Sequence, residues 1–323
     1  MNLPSMRINR PIFVVGSPRS GTSILTWCLG QHSNIFVQEE SNWIGRFTLQ
    51  MEIAYRIGTA RGERSQLSAL DVRREDFFAC FGRSINELIL DHRQKLEAKI
   101  AAKRESRRVS SAPPSIGHSS ISPFQITRSK SDPKARWVDG TPEYSFYINP
   151  LRKLFPEARF IHIVRDVSSV VRSMMHFQNT GGPALVAEER QAYQEWLKTV
   201  RACHEAECAY GSDIVRRIRY SDLIDDPNKV IEVLLAFLDE KFEPACLEPL
   251  QKRINSSNVP ADIEVSDPGT DQALINEATK LSSELTKDTP QLAPDPDAVA
   301  RMEQAFNDRV DYLAKRESGA TGA

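Results

Sequence analysis

Short apolar runs along the chain alternate with longer stretches in which apolar residues recur every three or four positions. Four of these runs are typical of strands buried on both faces, and a fifth, weaker run follows them: Ile12–Val15, Ile35–Val37, Trp137–Val138, Phe160–Val164 and Ile214–Ile218. Each of the first four leads through a turn into a helical pattern. This alternation predicts an α/β fold with a doubly wound parallel sheet flanked by helices.

A long insertion, placed at residues 60–135, separates the second and third predicted strands. Its first half predicts an amphipathic helix running toward Arg104, with an apolar face of Phe77, Phe81, Ile85, Leu88, His92, Leu96 and Ile100. Its second half is rich in serine, proline and charge, which predicts a flexible loop.

The last part of the chain predicts one further helix. A stretch poor in apolar residues, 255–289, precedes a helical segment at 290–315, whose apolar stripe we expect to pack on the core: Val299, Met302, Phe306, Val310 and Leu313. The chain has 323 residues and no internal repeat. We therefore expect residues 1–323 to form a single domain that contains the insertion.

Charge and cysteine content limit the function classes. The 42 basic and 43 acidic residues give a net charge of -1, so bulk charge indicates neither a nucleic-acid nor a membrane partner. Basic residues are concentrated from Arg93 to Arg136, which is typical of either a solvated face or an anion-attracting patch. Five cysteines without C-x-x-C spacing predict reduced thiols. No segment is long and apolar enough for a signal peptide or a membrane span, so we expect a cytoplasmic protein.

The clearest chemistry lies in IFVVGSPRSGTSILTWCL, Ile12–Leu29. Gly16 and Gly21 have the spacing of a Walker A phosphate-binding loop, and the following helix would add its positive N-terminal end. Thr22, however, occupies the position of the Walker lysine, and the cation of the loop is Arg19. A short anion without a metal fits such a loop better than a magnesium-bound triphosphate does.

Two other functions stay open at this point. One is a P-loop kinase or another nucleotide phosphotransferase, which the missing lysine and the lack of an obvious magnesium-binding aspartate disfavour. The other is a non-catalytic protein that binds anions on the same fold. A magnesium requirement for binding would favour the kinase, and an absence of turnover would favour the non-catalytic protein.

Three stretches, in order along the chain, resemble motifs of the sulfotransferases that use 3′-phosphoadenosine-5′-phosphosulfate (PAPS). VVGSPRSGTS resembles their 5′-phosphosulfate loop, in the P-R-S-G-T branch that is similar to tyrosylprotein and bacterial carbohydrate sulfotransferases. PEARFIHIVRDVSSVVRSMM resembles their 3′-phosphate motif, and IRYSDLIDDPNKVIEVLLAFL resembles a late block with a tyrosine and an acidic pair. The resemblance implies a P-loop-type α/β fold, PAPS as sulfate donor and no metal.

The resemblance also implies two separate anion pockets that hold opposite ends of PAPS. The 5′-phosphosulfate end would contact Arg19, Ser20, Gly21, Thr22 and Ser23. The remaining cofactor contacts would come from Arg165 and Ser173 at the 3′-phosphate, from Tyr220, and from Ser257 in a closing loop. Because an arginine does not readily give up a proton, the catalytic role implied for Arg19 is to stabilise the charge of the leaving phosphate.

The acceptor must lose a proton, so a general base is needed. Tyrosylprotein sulfotransferases have a similar E-E-[ST] after their second strand, with the second glutamate as base. In IFVQEESNW this resemblance implies Glu40, with Glu39 as the alternative. The histidines are weaker candidates: His162 lies within a strand, His32 at the opposite end of the sheet, and His118 in the predicted flexible loop.

One position departs from the family pattern. Many relatives have a lysine before the Thr-Pro that follows the third strand, where it contacts the transferring sulfuryl group, but WVDGTPEYS has Gly140 there. Either a basic residue of the insertion replaces this lysine or Arg19 acts alone, and Asp139 could instead help bind the acceptor. The function implied is sulfuryl transfer from PAPS to a hydroxyl or amine. The basic insertion favours a carbohydrate acceptor, and the oligomeric state is open.

Overall fold

A computed structural model describes residues 9–109, 135–177, 184–251, 269–287 and 290–320. Most of the predicted flexible loop lies outside these ranges, as do the candidate base His118 and the candidate cofactor residue Ser257.

The sheet has five parallel strands within the described residues, in the order β2-β3-β1-β4-β5. The strands are β1 Ile12–Val15, β2 Ile35–Val37, β3 Arg136–Asp139, β4 Arg159–Val164 and β5 Val215–Arg219. The predicted parallel α/β sheet is confirmed, with strand ends that differ by one residue in β3, β4 and β5. Because β1 lies between β3 and β4, the direction of winding reverses beside it. Ligands of such folds bind at this reversal, beyond the carboxyl ends of the strands.

Helices cover both faces of the sheet. They are α1 Thr22–Leu29, α2 Trp43–Thr59, α3 Gln66–Ala69, α4 Arg74–Val109, α5 Ile148–Leu154, α6 Val167–His176, α7 Glu189–Tyr210, α8 Tyr220–Asp225, α9 Pro227–Phe237, α10 Glu248–Gln251, α11 Gln272–Lys287 and α12 Pro296–Ala320. Alternate side chains of β1 point to opposite faces. Phe13 joins a core cluster with α5 and α12, whereas Ile12 and Val14 join a second cluster with α1 and α9.

The predicted amphipathic helix is present as α4, but its buried face was predicted only in part. Phe78, Ile85 and Leu90 are buried, whereas Phe81 and Leu88 are exposed. The physical reason is a close backbone contact at Gly82, where a Cβ atom would lie 1.7 Å from the carbonyl oxygen of Leu154. This contact sets the rotation of α4 against α5, and a glycine adds nothing to a hydrophobic pattern.

The C-terminal helix is confirmed as α12, which buries Phe306 and Val310 in the first core cluster. The stretch before it was predicted wrongly, because α11 lies within it and packs against α6 and α7. The helix carries a periodic apolar face, made of Leu274, Ile275, Ala278, Leu281 and Leu285, that packs in a third core cluster. The signal for α11 was therefore present in the sequence and was overlooked.

Two further expectations bear on the chain as a whole. All five cysteines are free thiols, and Cys28 is buried. Within the described part of the chain, no helix combines the length and apolarity that a membrane crossing requires. The single-domain organisation and the cytoplasmic location stay predictions.

Candidate active site

The loop between β1 and α1 has a backbone that only certain residues tolerate. Gly16 and Gly21 have φ values of +149° and +105°, and Arg19 has φ of +70°. A Cβ atom at Gly16 would lie 2.6 Å from the Ile163 carbonyl oxygen, and one at Gly21 would lie 2.6 Å from the Tyr220 ring. Glycine is therefore required at both positions, by conformation and by space.

One hydroxyl of this loop lacks a partner among the described residues. The hydroxyl oxygen of Ser20 is buried and has no hydrogen-bond partner among the described residues. Helix α1 begins at Thr22 with no side chain capping its first turn, so its N-terminal N–H groups face the same region. Buried polar groups are nearly always paired in folded proteins. An unpaired hydroxyl beside an uncapped helix N-terminus therefore fits a bound anion such as a phosphate or sulfate.

Arg165 lies directly beyond β4, next to this loop. One of its terminal nitrogens donates to the carbonyl oxygen of Arg19 at 3.1 Å, and Nε of Arg19 donates to Oγ of Ser173 at 3.1 Å. The residues predicted for the two ends of PAPS thus lie next to each other, because Arg19 contacts both Arg165 and Ser173. Within the described chain, Arg165 has no carboxylate within 4.0 Å, since Asp166 instead caps α6 by accepting from the Ser169 N–H at 2.9 Å.

Aromatic rings cover both guanidinium groups. The Arg165 guanidinium lies 4.5 Å from the centre of the Tyr220 ring, and that of Arg19 lies 4.2 Å from the Phe177 ring. Tyr220 is the first residue of α8, immediately after β5. The Tyr220 ring therefore packs against Gly21 at the start of α1 and against Arg165 after β4, so it bridges these two segments.

The positive charges of Arg19 and Arg165, at the carboxyl ends of the strands, are only partly compensated by nearby acidic groups. Burial and the neighbouring Arg165 lower the pKa of Arg19, while Glu40 and Tyr220 oppose that shift. Two adjacent guanidinium groups repel each other, so an anion that contacts both would relieve the repulsion.

Glu40 lies at the opposite side of the α1 N-terminus. The hydroxyl of Ser23 donates to Oε1 of Glu40 at 2.6 Å. The carboxylate reaches solvent, yet partial desolvation and the nearby Glu143 raise its pKa above the ordinary glutamate value, although Ser23 and Arg19 act in the opposite direction. A carboxylate with a raised pKa is a stronger proton acceptor when it is ionised, which suits a general base.

A polar network that the sequence analysis missed holds the Glu40 segment in place. The N–H of Ser41 donates to Oγ1 of Thr141 at 2.7 Å, and the Thr141 hydroxyl donates to Asp139 at 2.6 Å. The phenol of Tyr144 donates to the Ser41 carbonyl oxygen at 2.5 Å. Burial raises the pKa of Asp139 to about 7. Asp139 is only 2% exposed, so it supports the segment from below and is not available to an acceptor.

The packing at Gly140 explains why no lysine precedes the Thr-Pro that follows β3. A Cβ atom there would lie 2.2 Å from Oγ1 of Thr26 and 3.5 Å from the carbonyl oxygen of Thr22. Helix α1 thus packs directly on the backbone that leaves β3. A side chain at this position would displace the helix that carries the anion-binding N-terminus.

The remaining candidate bases within the described residues are Glu39, His162 and His32. Glu39 is exposed beside Glu40. His162 is fully buried within β4 against Glu207, and Nε2 of His32 bonds to the Lys241 carbonyl oxygen before β2 begins, at the amino end of the sheet. Neither histidine reaches the loop. The described residues also contain no cluster of three or more histidine, cysteine or acidic side chains that could hold a metal ion.

The loop with Arg19 follows the central strand of a parallel α/β sheet, at the edge where ligands of such folds bind. Comparison with known proteins gives the family. Residues 11–244 match the model described as "Sulfotransferase family", and the chain belongs to that family.

Two curated relatives show the extent of the similarity. The chain is 24% identical over 236 residues to Protein-tyrosine sulfotransferase 1 of Danio rerio, covering 73% of this chain and 55% of that protein. It is 22% identical over 294 residues to Protein-tyrosine sulfotransferase of Drosophila melanogaster, covering 88% and 50%. The chain thus spans about half the length of these relatives.

Among solved structures, the sulfotransferase domain from the Synechococcus PCC 7002 olefin synthase is 18% identical to the chain. That match covers 95% of this chain and 98% of the other, with a TM-score of 0.43.

Proposed function

We propose that the chain transfers the sulfuryl group of PAPS to an acceptor hydroxyl. The observation that carries this proposal is the convergence of Arg19, Arg165 and Ser173 beside a loop with the unpaired buried hydroxyl of Ser20. This arrangement offers donors for two anionic groups, and PAPS carries a 3′-phosphate and a 5′-phosphosulfate. The protein belongs to a family defined by sulfuryl transfer, which supports the same conclusion.

The residues divide the work by position. The α1 N-terminus, Ser20 and Thr22 would hold the 5′-phosphosulfate, and Arg165 with Ser173 would hold the 3′-phosphate. Arg19 would stabilise the negative charge that develops on the leaving phosphate, because a preformed cation in a partly desolvated site favours that charge. PAPS supplies the activated sulfuryl group, and the protein supplies every other function through its side chains and the backbone N–H groups of α1.

Glu40 is the proposed general base. Its carboxylate lies one hydrogen bond from Ser23, in the first turn of α1 where the sulfuryl end would bind. The acceptor hydroxyl would lose its proton to Glu40 as its oxygen forms a bond to sulfur and the bond from sulfur to the leaving phosphate oxygen breaks. The Asp139–Thr141–Ser41 chain would fix the position of this carboxylate and not take part in proton transfer.

For the acceptor we propose a carbohydrate. Trp43 lies three residues after Glu40, so their Cα atoms are within about 11 Å, and its side chain is 43% exposed. The C–H face of a sugar ring packs well on such an indole, and a neighbouring ring could then reach Glu40. The relatives named above are protein-tyrosine sulfotransferases, so a tyrosine peptide is the competing acceptor that the test includes.

The experiment measures transfer of labelled sulfate from PAPS to a panel of oligosaccharides, tyrosine peptides and simple phenols. Replacing Glu40 by glutamine should lower turnover by about 10²–10⁴-fold while leaving binding of 3′-phosphoadenosine-5′-phosphate (PAP) nearly unchanged. Glu39→Gln is the matched control and should keep most activity. Full turnover by Glu40→Gln would exclude this base, and transfer to peptides alone would exclude the carbohydrate.

A further inference from the structure

A second cleft lies on the face of the sheet that α5, α7 and α12 cover, apart from the candidate active site. It has a volume of about 470 Å³, within the range of small-molecule sites. Its lining is Ser145, Phe146, Asn149, Pro150, Ala202, Glu205, Arg301, Met302, Ala305, Phe306 and Arg309. The β1–α1 loop, Glu40, Arg165 and Tyr220 do not line it, so the cleft is distinct from the candidate active site.

The walls of the cleft are mainly apolar. Phe146 and Pro150 contribute one wall, and Met302 and Phe306 of α12 contribute the other. A flat apolar or aromatic body would bury surface against both walls. This part of the lining sets the shape of the occupant but not its polar groups.

Asn149 supplies a polar group that lacks a partner. It is only 5% exposed, and its side-chain oxygen is buried without a hydrogen-bond partner among the described residues. A buried amide in a folded protein is nearly always paired. Because Asn149 lines the cleft, an occupant with a hydrogen-bonding group would supply the missing partner.

The charged groups around the cleft favour an anion. Arg309 stacks at 4.4 Å on the Tyr147 ring and has no carboxylate within 4.0 Å in the described part of the chain. Lys198, 4.8 Å from the Phe146 ring, likewise forms no ion pair there. Arg301 is different, because its Nε donates to Glu205 at 2.8 Å. Two exposed cations, neither of them ion-paired within the described residues, therefore lie beside the apolar wall, and Arg309 lines the cleft itself.

From these features we propose that the cleft binds a small amphipathic anion. The occupant has a flat apolar body between Phe146 and α12, a group that hydrogen-bonds to Asn149, and a carboxylate, sulfonate or sulfate at Arg309. The floor of the cleft adjoins the loop between β1 and α1, since Oγ of the lining residue Ser145 accepts from the Gly16 N–H at 3.1 Å. The cleft shares no residue with the proposed PAPS site, so this proposal does not depend on the proposed function.

The probe for the test is 8-anilinonaphthalene-1-sulfonate, which combines an aromatic body, an N–H donor and a sulfonate. Its fluorescence is titrated with the full chain, with and without saturating PAP. We expect saturable binding that PAP does not displace. Displacement by PAP would place the probe in the candidate active site and overturn the proposal.

Two pairs of variants on α12 locate the binding site. Ala305→Trp fills the cleft, and Ala300→Trp puts the same side chain on an exposed position outside its lining. Arg309→Gln removes the proposed anion partner. Arg316→Gln is its matched control, because Arg316 likewise packs on a tyrosine ring, that of Tyr312. Ala305→Trp and Arg309→Gln should each weaken binding by roughly tenfold or more, and their controls should bind like the unmodified chain.

Asn149→Leu separates ligand binding from folding. Because leucine has the branch point and the number of heavy atoms of asparagine and leaves no unpaired amide, the variant should fold with unchanged circular dichroism while it binds the probe more weakly. Equal probe affinity in Ala305→Trp, Asn149→Leu and the unmodified chain would overturn the proposal, as would the absence of saturable binding. Weakening by both members of a matched pair would also overturn it, since the effect would then not be specific to the cleft.

Discussion

Replacing Gly140 by alanine tests the packing that excludes a lysine from this position. The new Cβ would lie 2.2 Å from Oγ1 of Thr26, a separation that real Cβ atoms essentially never show. Thr26 is buried, and its hydroxyl donates to the Thr22 carbonyl oxygen at 2.9 Å. Relief of the clash requires either rotation of Thr26, with loss of this hydrogen bond, or displacement of α1 from β3. We expect a loss of about 2–4 kcal/mol in the free energy of unfolding, from overpacking together with the hydrogen bond.

The assay is urea denaturation of Gly140→Ala, Thr26→Ala and the double variant. Alanine at position 26 removes the clashing hydroxyl and leaves a Cβ contact of 3.2 Å, which is tight but tolerable. The double variant should therefore be more stable than the sum of the single effects predicts, by about 1 kcal/mol or more. Additive effects, or a Gly140→Ala variant as stable as the unmodified chain, would refute the packing argument.

Gly62→Ala is the control for the general effect of a new methyl group. Gly62 has φ of +57° but nothing within 4 Å of its added Cβ, so alanine there should cost only about 1 kcal/mol from backbone strain. It should show no coupling to Thr26→Ala.

The contact at Gly140 also makes a prediction about lysine. Gly140→Lys should lower PAP affinity, because α1 would move, and should not restore a family-type catalytic lysine.

Three further predictions concern charge. The acidic limb of the pH–rate profile should lie above the ordinary glutamate pKa, and Ser23→Ala should move it higher, because the Ser23 hydrogen bond lowers the pKa of Glu40. Arg165→Lys should weaken PAP by about tenfold in calorimetry, because lysine cannot form the two-pronged contact. Glu207→Gln should cost about 3–5 kcal/mol in urea denaturation, since it leaves buried His162 uncompensated.

The contribution of the Glu207–His162 pair should depend on pH in a definite way. Burial alone would lower the pKa of His162, but Cys203 and Glu207 raise it from 6.5 to about 10. The stabilisation from His162 is therefore complete below pH 6.5 and lost as the pH rises toward 10. Because His162 also helps lower the pKa of Glu207 from 4.5 to about 2, the stabilisation is lost again as the pH falls from 4.5 toward 2. A stability difference between the unmodified chain and Glu207→Gln that stays constant over both ranges would contradict the assignment. Likewise, an acidic limb that Ser23→Ala leaves unmoved would exclude Glu40 as its source.

The fold was predictable because its strands are buried on both faces and therefore appear as unbroken apolar runs. Helix α4 shows the limit of the pattern. The rotation of α4 depends on a backbone contact at Gly82, which adds nothing to a hydrophobic periodicity. Helix α11, in contrast, has a periodic apolar face that includes Leu274, Leu281 and Leu285, and this face was overlooked among the many polar residues of the stretch.

The loop spacing and the arginine after β4 were visible in the sequence, but their contact was not. Arg19 and Ser173 are 154 positions apart, and Ser41 is separated from Thr141 by 100. Such contacts depend on strand order, which a single sequence does not specify. Polar residues directly after β3, such as Asp139 and Thr141, were the available signal for the missed network, because the carboxyl ends of parallel strands share one edge.

The most direct test of the account is calorimetric titration of the full chain with PAP and, separately, with adenosine-5′-phosphate, which lacks the 3′-phosphate. We expect saturable binding of PAP, much weaker binding of adenosine-5′-phosphate, and loss of this difference in Arg165→Gln. The control variant is Arg201→Gln, which changes an exposed arginine on α7. It should bind PAP like the unmodified chain. No detectable heat with PAP, or equal affinity for the two nucleotides in the unmodified chain, would contradict the account.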